Sequence, residues 1–317
     1  MSLGRSRRPQ GRIGSMLSRL FSGGSPGART EKKGGEFSRP THAPLRGSNV
    51  TLPARPLVSV VMTSHDTAAH VEAAVQSILR QSWDHLELVV VDDASRDDSL
   101  ARLKALCALD ERVHVVPLPS NVGTYRAKNA GIRSARGDVL TFMDSDDTSH
   151  PARIEQQLEL LRAPGVVAST CNYVRHSSDG DVIMNRGLRE RRALISLMIK
   201  RGVIDDIGWF DSVRTSADDE FFERIRHVYG RGAVAHVDRA LYFALSRKGS
   251  LSTTPGMAVD LSADGEGPSS PLSAVRQAYV QSYREWYARL ESAGMRPYMP
   301  RTLLNRRPFP ADPRLIR

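Results

Sequence analysis

From residue 56 onward the chain alternates between two kinds of apolar pattern. Short, nearly unbroken apolar runs occur at Leu57-Val-Ser-Val-Val-Met62, at Leu86-Glu-Leu-Val-Val-Val91, and over residues 113–118, 139–143 and 166–173. Each has the length of a buried strand. Between the first two runs, Val71, Ala74, Val75, Ile78 and Leu79 recur at three- and four-residue spacing, which predicts a helix over residues 68–81. Leu100, Leu103, Leu106 and Leu109 predict the next helix, with Asp97 or Asp98 placed to cap it. Asn121-Val-Gly-Thr124 turns the chain into a third helix running to about residue 135, and residues 150–161 form a fourth. Strand followed by helix, repeated, predicts a parallel sheet with right-handed crossovers and helices on its faces, an α/β fold.

Past residue 173 the pattern loosens. Helices are expected around residues 191–200, over 217–229, and over 274–292, the last carrying Tyr279, Tyr283 and Trp286. Two short strands are expected within 233–246. Residues 252–271, full of Ser, Gly and Pro, read as a linker, and the Pro- and Arg-rich residues 295–317 as an extended arm. Residues 1–55 are rich in Gly, Ser, Pro and Arg and predict a disordered segment. Within it, residues 13–21 have the makings of a short amphipathic helix on a membrane surface.

Charge sharpens that division. The net charge of +10 is concentrated in residues 1–55, which hold eleven Lys and Arg against two Glu, while the remainder carries 34 basic and 33 acidic residues. A basic arm on a near-neutral body points to contact with an anionic membrane or polymer, not to a nucleic-acid-binding fold. Cys107 and Cys171 build no disulfide framework and belong to no CxxC pair, so both read as buried thiols. No apolar run approaches the roughly 18 residues of a membrane span. A cytoplasmic protein is expected, touching the inner face of the plasma membrane through its arm.

The candidate chemistry gathers where the apolar runs stop. Residues 139–143 end abruptly in Asp144, Asp146 and Asp147. Open α/β sheets bind ligands at the carboxyl ends of their strands, so these acids lie where chemistry is usually done. Three carboxylates this close repel one another unless a cation or donors neutralise them, and oxygen ligands suit Mg²⁺ or Mn²⁺. The plainer alternative is an acidic turn capping the helix that follows. Thr63, Ser64, His65 and Asp66 follow the first run, and Asp92 and Asp93 the second; side by side they make a polar crevice. A strand-end carboxylate there can accept a hydrogen bond from a ribose or a pyrimidine N–H, or simply cap a helix. Nothing after the first run resembles GxGxxG, which argues against a dinucleotide site. His65 is given no catalytic role.

These pieces resemble the family 2 glycosyltransferases of the GT-A fold over residues 56–252. Val58-Ser-Val-Val-Met-Thr-Ser-His65 looks like their opening strand. Gln81-Ser-Trp-Asp-His-Leu-Glu-Leu-Val-Val-Val-Asp-Asp-Ala-Ser95 looks like their nucleotide-binding segment. Asn121-Val-Gly123 with Ala127-Lys-Asn-Ala-Gly-Ile132 is similar to their third block, with Lys128 where Arg is usual. Met143-Asp-Ser-Asp-Asp147 matches their metal motif. Gly208-Trp-Phe-Asp211 followed by Ala217-Asp-Asp-Glu-Phe-Phe-Glu-Arg224 resembles their acceptor-side block, with Ala217 in place of the usual Glu.

The resemblance implies a Rossmann-like, parallel-core sheet flanked by helices. It divides the chain into a disordered arm (1–55), a GT-A domain (56–250) and a linker, helix and tail (251–317). Within the domain, residues 56–150 form a nucleotide-sugar half and residues 151–250 an acceptor half. It further implies that Thr63 and Asp93, with Lys128, hold the nucleotide of the donor, and that Asp146, helped by Asp144, binds Mg²⁺ or Mn²⁺ on the diphosphate. Asp218 would be the catalytic base toward the acceptor hydroxyl, with Asp219 and Glu220 close enough to compete. The plain alternative for Asp218 is a solvated acid favoured by a helix dipole. The implied reaction is inverting, metal-dependent transfer from a nucleotide diphosphate-sugar to a glycan or lipid-linked acceptor, in bacterial surface polysaccharide assembly. The QxxRW signature and membrane helices of the processive members are lacking, so one sugar per encounter is expected. Two alternatives stand beside it: a haloacid dehalogenase-like phosphatase using Asp144-Ser-Asp-Asp-Thr148, and a catalytically silent nucleotide-sugar-binding scaffold.

Overall fold

A computed structural model describes residues 36–43, 45–49, 51–184, 187–247, 274–303 and 306–316. They belong to one compact unit, Gly35–Arg317. The expected amphipathic helix over 13–21 and the expected linker over 252–271 lie outside the described residues.

The apolar runs form the strands they predict. β2 (Val58–Ser64) and β3 (Leu86–Asp92) are buried along their whole length, and β5 (Val139–Asp144) is buried up to its last residue. Runs buried on both faces are what a covered parallel sheet requires. With β4 (Val113–Pro117) they give the parallel order β4-β3-β2-β5. β9 (Arg191–Lys200), β7 (Ala168–His176), β10 (Val234–Leu245) and β6 (Thr148–Ser149) extend the sheet beyond β5, with β8 (Val182–Ile183) paired to β7. β9 runs antiparallel to both β5 and β7, whereas β10 is parallel to β7. The sheet therefore has a parallel core and a mixed far side.

Alternation along the strands sorts side chains into two cores. Val60, Met62, Leu88, Val90 and Met143 point to one face, covered by α2 (Val71–Leu79), α3 (Ser99–Leu109) and α5 (Arg153–Leu160). Val61, Val89, Leu140 and Phe142 point to the other. That face is covered by α4 (Thr124–Ser134), α6 (Gly202–Ile207), α7 (Ala217–Tyr229) and α8 (Ala274–Ser292). α4 lies so close to the sheet that a Cβ on Gly131 would collide with Val61, which is why a glycine sits mid-helix despite its cost.

Three expectations need correction. Residues 191–200 are a strand, not a helix. The run Ala193-Leu-Ile-Ser-Leu-Met-Ile199 suits either period when short, and pairing on both edges decides for β. Residues 233–246 hold one long strand instead of two; β10 stays paired through register shifts around Val237 and Ala240. The chain ends are more ordered than their composition predicts. β1 (Ser38–Pro40) pairs antiparallel with β11 (Met295–Pro297), and the short helix α1 (Arg46–Asn49) donates Gly47 N–H to Asp206 Oδ2 at 2.7 Å. The tail is pinned rather than extended from the body: Met299, Phe309 and Leu315 are buried in the same core as Tyr279, Tyr283, Trp286 and Tyr287 of α8.

Candidate active site

The carboxyl ends of β2, β3 and β5 lie side by side, with Thr63 in register with Asp144 and Ser64 with Asp92. Thr63 Oγ1 lies 3.4 Å from Asp144 Oδ1 and 3.1 Å from Thr124 Oγ1 at the start of α4. One turn along α4, the buried Lys128 reaches Asp144 Oδ1 at 3.5 Å. Thr63, Lys128 and Asp144 thus converge on one wall. Asp144 keeps 41% of its side chain exposed, yet its carboxyl is raised above the usual range. The enclosing protein contributes most; Lys128 opposes it, and Asp146 and Asp218 add to it.

The three acids after β5 part company. Asp147 is buried, accepting Tyr242 O–H at 2.7 Å and Leu245 N–H at 2.8 Å, and burial followed by Asp146 and Asp144 pushes its carboxyl well up. It ties the end of β10 to the turn. Asp146 faces the crevice and accepts the Arg247 Nε–H at 2.6 Å. Among the described residues no group of three or more His, Cys, Asp or Glu is arranged to hold a metal. Asp144 and Asp146 supply at most two carboxylates, which fits Mg²⁺ or Mn²⁺ only in the mode that completes its shell with phosphate oxygens.

The second strand end also divides its labour. Both oxygens of Asp93 are engaged by the loop before α4, accepting Val122 N–H at 2.7 Å and Gly123 N–H at 2.8 Å. Asp93 therefore braces the loop that starts α4, a task its expected nucleoside role did not foresee. The neighbouring Asp92 accepts Ser95 N–H at 3.2 Å through Oδ2, while its buried Oδ1 has no hydrogen-bond donor among the described residues.

Across the crevice stands the first turn of α7. Asp218 Oδ1 accepts the Tyr125 O–H at 2.6 Å, so the acid of the far wall is hydrogen-bonded to the near one. Asp219 is half-buried and raised to about 7, by burial first and then by Asp218, with Arg276 opposing. Glu220 points the other way. It is fully buried, paired with Arg224 at 3.0 Å and accepting Tyr287 O–H at 2.7 Å. Arg224 in turn donates to the carbonyls of Ile207 at 2.6 Å and Trp209 at 2.7 Å. Glu220 is thus engaged in holding the loop before α7, while Asp218 and Asp219 keep part of their surface exposed.

The backbone adds a further mark. The described non-glycine residues with left-handed φ are Asp66 (51°), Ala94 (56°) and Ser216 (70°). They stand just past β2, just past β3 and at the start of α7, the segments that carry Asp92, Asp93 and Asp218 or adjoin Thr63. Such conformations cost about 1–3 kcal/mol each and collect at functional sites. Tyr125 and Arg247 escaped the sequence. Tyr125 had a signal, since it lies three residues before Lys128 and so shares its helix face; Arg247 had none.

The family model for glycosyl transferase family 2 matches residues 59–222. The putative teichuronic acid biosynthesis glycosyltransferase TuaG of Bacillus subtilis (strain 168) is 36% identical over 126 residues, covering 40% of this chain and 50% of that protein. The succinoglycan biosynthesis protein ExoO of Rhizobium meliloti (strain 1021) is 37% identical over 125 residues, covering 39% and 35%. The chain spans about half the length, or less, of these curated relatives. Among solved structures, S. aureus TarS 1–349 in complex with UDP-GlcNAc superposes with a TM-score of 0.51 at 19% identity, over 61% of this chain and 59% of that one. At that identity the likeness is one of fold.

Proposed function

Because the chain belongs to glycosyl transferase family 2, whose model spans residues 59–222, we propose that it transfers a sugar from a nucleotide diphosphate-sugar to an acceptor hydroxyl, with inversion at the anomeric carbon. The observation that carries this is the crevice with two acidic walls: Asp144 and Asp146 at the strand ends, and Asp218 opposite them, held by Tyr125. A single displacement needs a leaving group stabilised on one side of the sugar and a base on the other. Asp218 takes the proton from the acceptor hydroxyl as that oxygen attacks. Thr63 and Lys128 line the donor side together with Asp93, whose carboxylate also braces the loop before α4. Mg²⁺ or Mn²⁺ at Asp144 and Asp146, when bound, neutralises charge on the departing diphosphate. Relatives named for teichuronic acid and succinoglycan biosynthesis support an acceptor within a growing surface polysaccharide or its lipid-linked precursor.

Thermal unfolding of the full chain with UDP, GDP or dTDP, each with and without Mn²⁺, tests this. A ligand at 100 times its Kd stabilises the native state by about 2.7 kcal/mol. Stabilisation by one nucleotide that is enlarged by Mn²⁺, and abolished in Asp146→Asn, is expected. No stabilisation by any of the three would overturn the donor-site reading. Metal-dependent binding unchanged in Asp146→Asn would remove that residue from the metal site.

A further inference from the structure

The donor side holds a feature that the reading above does not assign. Asp146, one of two crevice carboxylates offered to a cation, already holds one: the Arg247 guanidinium, hydrogen-bonded through Nε at 2.6 Å. Both partners are largely enclosed, with side-chain exposures of 14% for Asp146 and 28% for Arg247. Arginine stays protonated at any working pH, so this charge cannot be shed to make room. A divalent ion on Asp146 would therefore share one carboxylate with a fixed positive charge, and the two repel.

The protein by itself does not resolve the conflict, since among the described residues no third His, Cys, Asp or Glu completes a metal group here. A diphosphate does resolve it. It brings several negative oxygens, enough for a metal and a guanidinium together, and planar guanidinium groups bind phosphate in bidentate fashion. Taking the donor site proposed above as given, we propose that Arg247 is the resident counter-ion of Asp146. Its transfer from that carboxylate to the diphosphate makes metal and nucleotide bind as a pair. Metal alone must share Asp146 with the Arg247 charge, whereas metal with nucleotide offers that guanidinium phosphate oxygens. Arg247 is in this sense a positioning residue that sets the order of assembly, and the coupling runs equally in both directions.

The test is Mn²⁺ titration of the full chain followed by electron paramagnetic resonance of unbound Mn²⁺, with and without saturating UDP or whichever nucleotide the thermal panel selects. For the unaltered chain, nucleotide is expected to tighten Mn²⁺ binding by a factor within the usual range of about 5–150. Arg247→Ala and Arg247→Gln should each bind Mn²⁺ alone about tenfold more tightly, because the competing charge is gone. Their coupling factor should shrink correspondingly, leaving only the part due to direct metal–phosphate bonds. Arg247→Lys, which keeps the charge without the planar fork, should bind Mn²⁺ alone as weakly as the unaltered chain. If the Ala and Gln variants bind Mn²⁺ alone no better, Arg247 is not the counter-ion and the proposal fails while the metal site stands. If the unaltered chain binds no Mn²⁺ even with nucleotide, the metal reading falls and takes this proposal with it.

Discussion

The chain carries two acidic triplets, Asp144/Asp146/Asp147 after β5 and Asp218/Asp219/Glu220 at the start of α7, and they are built on one plan. In each, the last acid turns inward and becomes a strut. Asp147 fastens β10 through Tyr242 and Leu245, and Glu220 fastens the loop before α7 through Arg224 and Tyr287. Of the others, Asp144, Asp146 and Asp218 meet Lys128, Arg247 and Tyr125, while Asp219 lies near Arg276 of α8. Where the triplets differ is in how the strut is neutralised. Glu220 has a buried guanidinium of its own; Asp147 has only hydroxyl and amide donors, and burial drives its carboxyl well up. The lesson is that three neighbouring acids are not three candidates. One of each set is committed to holding the other two in place.

The sharpest way to break the comparison is at Asp218, the acid proposed as base. Asp218→Asn should leave nucleotide stabilisation intact, since the donor contacts lie on the opposite wall, while transfer falls by about 10²–10⁴ in a sugar-transfer assay. Asp219→Asn should be mild by comparison. The reverse outcome would move the base to Asp219 and leave Asp218 as a partner of Tyr125.

The strut should respond in stability rather than in chemistry. Glu220→Ala leaves Arg224 buried without its carboxylate and should cost about 3–5 kcal/mol in denaturant unfolding. The protein that remains folded should still be stabilised by nucleotide. A loss of transfer without a loss of stability would place Glu220 in the chemistry after all.

Tyr125→Phe sharpens the link between the walls. Losing a hydrogen bond to a charged group costs about 1.5–3 kcal/mol, so transfer should drop by about 10–100-fold. A purely structural role for Tyr125 would lower stability and leave transfer by the folded protein unchanged.

The smallest effect is a slope. Glu220 is raised from 4.5 to about 7 chiefly by burial, against the pull of Arg224, and Asp219 is raised to about 7 as well. Between about pH 4.5 and 7 the folded chain therefore keeps protons that the unfolded chain has released. Stability should decline as pH rises through that window, by at most about 1.4 kcal/mol per pH unit for each group, and level off above it. Carboxylates held low, such as Asp312 at about 2, act below the window. Glu220→Gln should flatten its share of the slope in melting temperatures taken from pH 5 to 8.

The parts of this molecule that could be read from the chain are those where local pattern and tertiary need agree. β2, β3 and β5 are unbroken apolar runs because both faces are covered. α7 begins with three acids and ends before Gly230, at the residues its sequence predicts. The same agreement made the strand-end acids visible, since chemistry at the carboxyl ends of parallel strands follows from topology. β9 was misread because a short apolar run is decided by its neighbours. The brace that Asp93 gives the loop before α4 was illegible because its partners are the main-chain amides of Val122 and Gly123, about thirty residues on, which no side-chain pattern marks. Arg247 was illegible as well: it lies about a hundred residues from Asp146, and no local rule relates them.

The contact between Gly208 and the tail carries a consequence for how this protein can vary. Gly208, at φ 81°, lets the Met299 carbonyl approach so closely that any Cβ would strike it; Trp209 N–H donates to that carbonyl, and Met299 N–H donates to Ile207. The loop that leads to Asp218 is thus underpinned from residue 299, well past the family match ending at 222. The joint is made of main-chain atoms on both sides. Residues on the tail can therefore drift in identity over evolutionary time while the joint persists, and an alignment, which compares side chains, sees similarity fade where the support continues. A fragment ended where the resemblance ends would keep every motif and lose the ground beneath one of them.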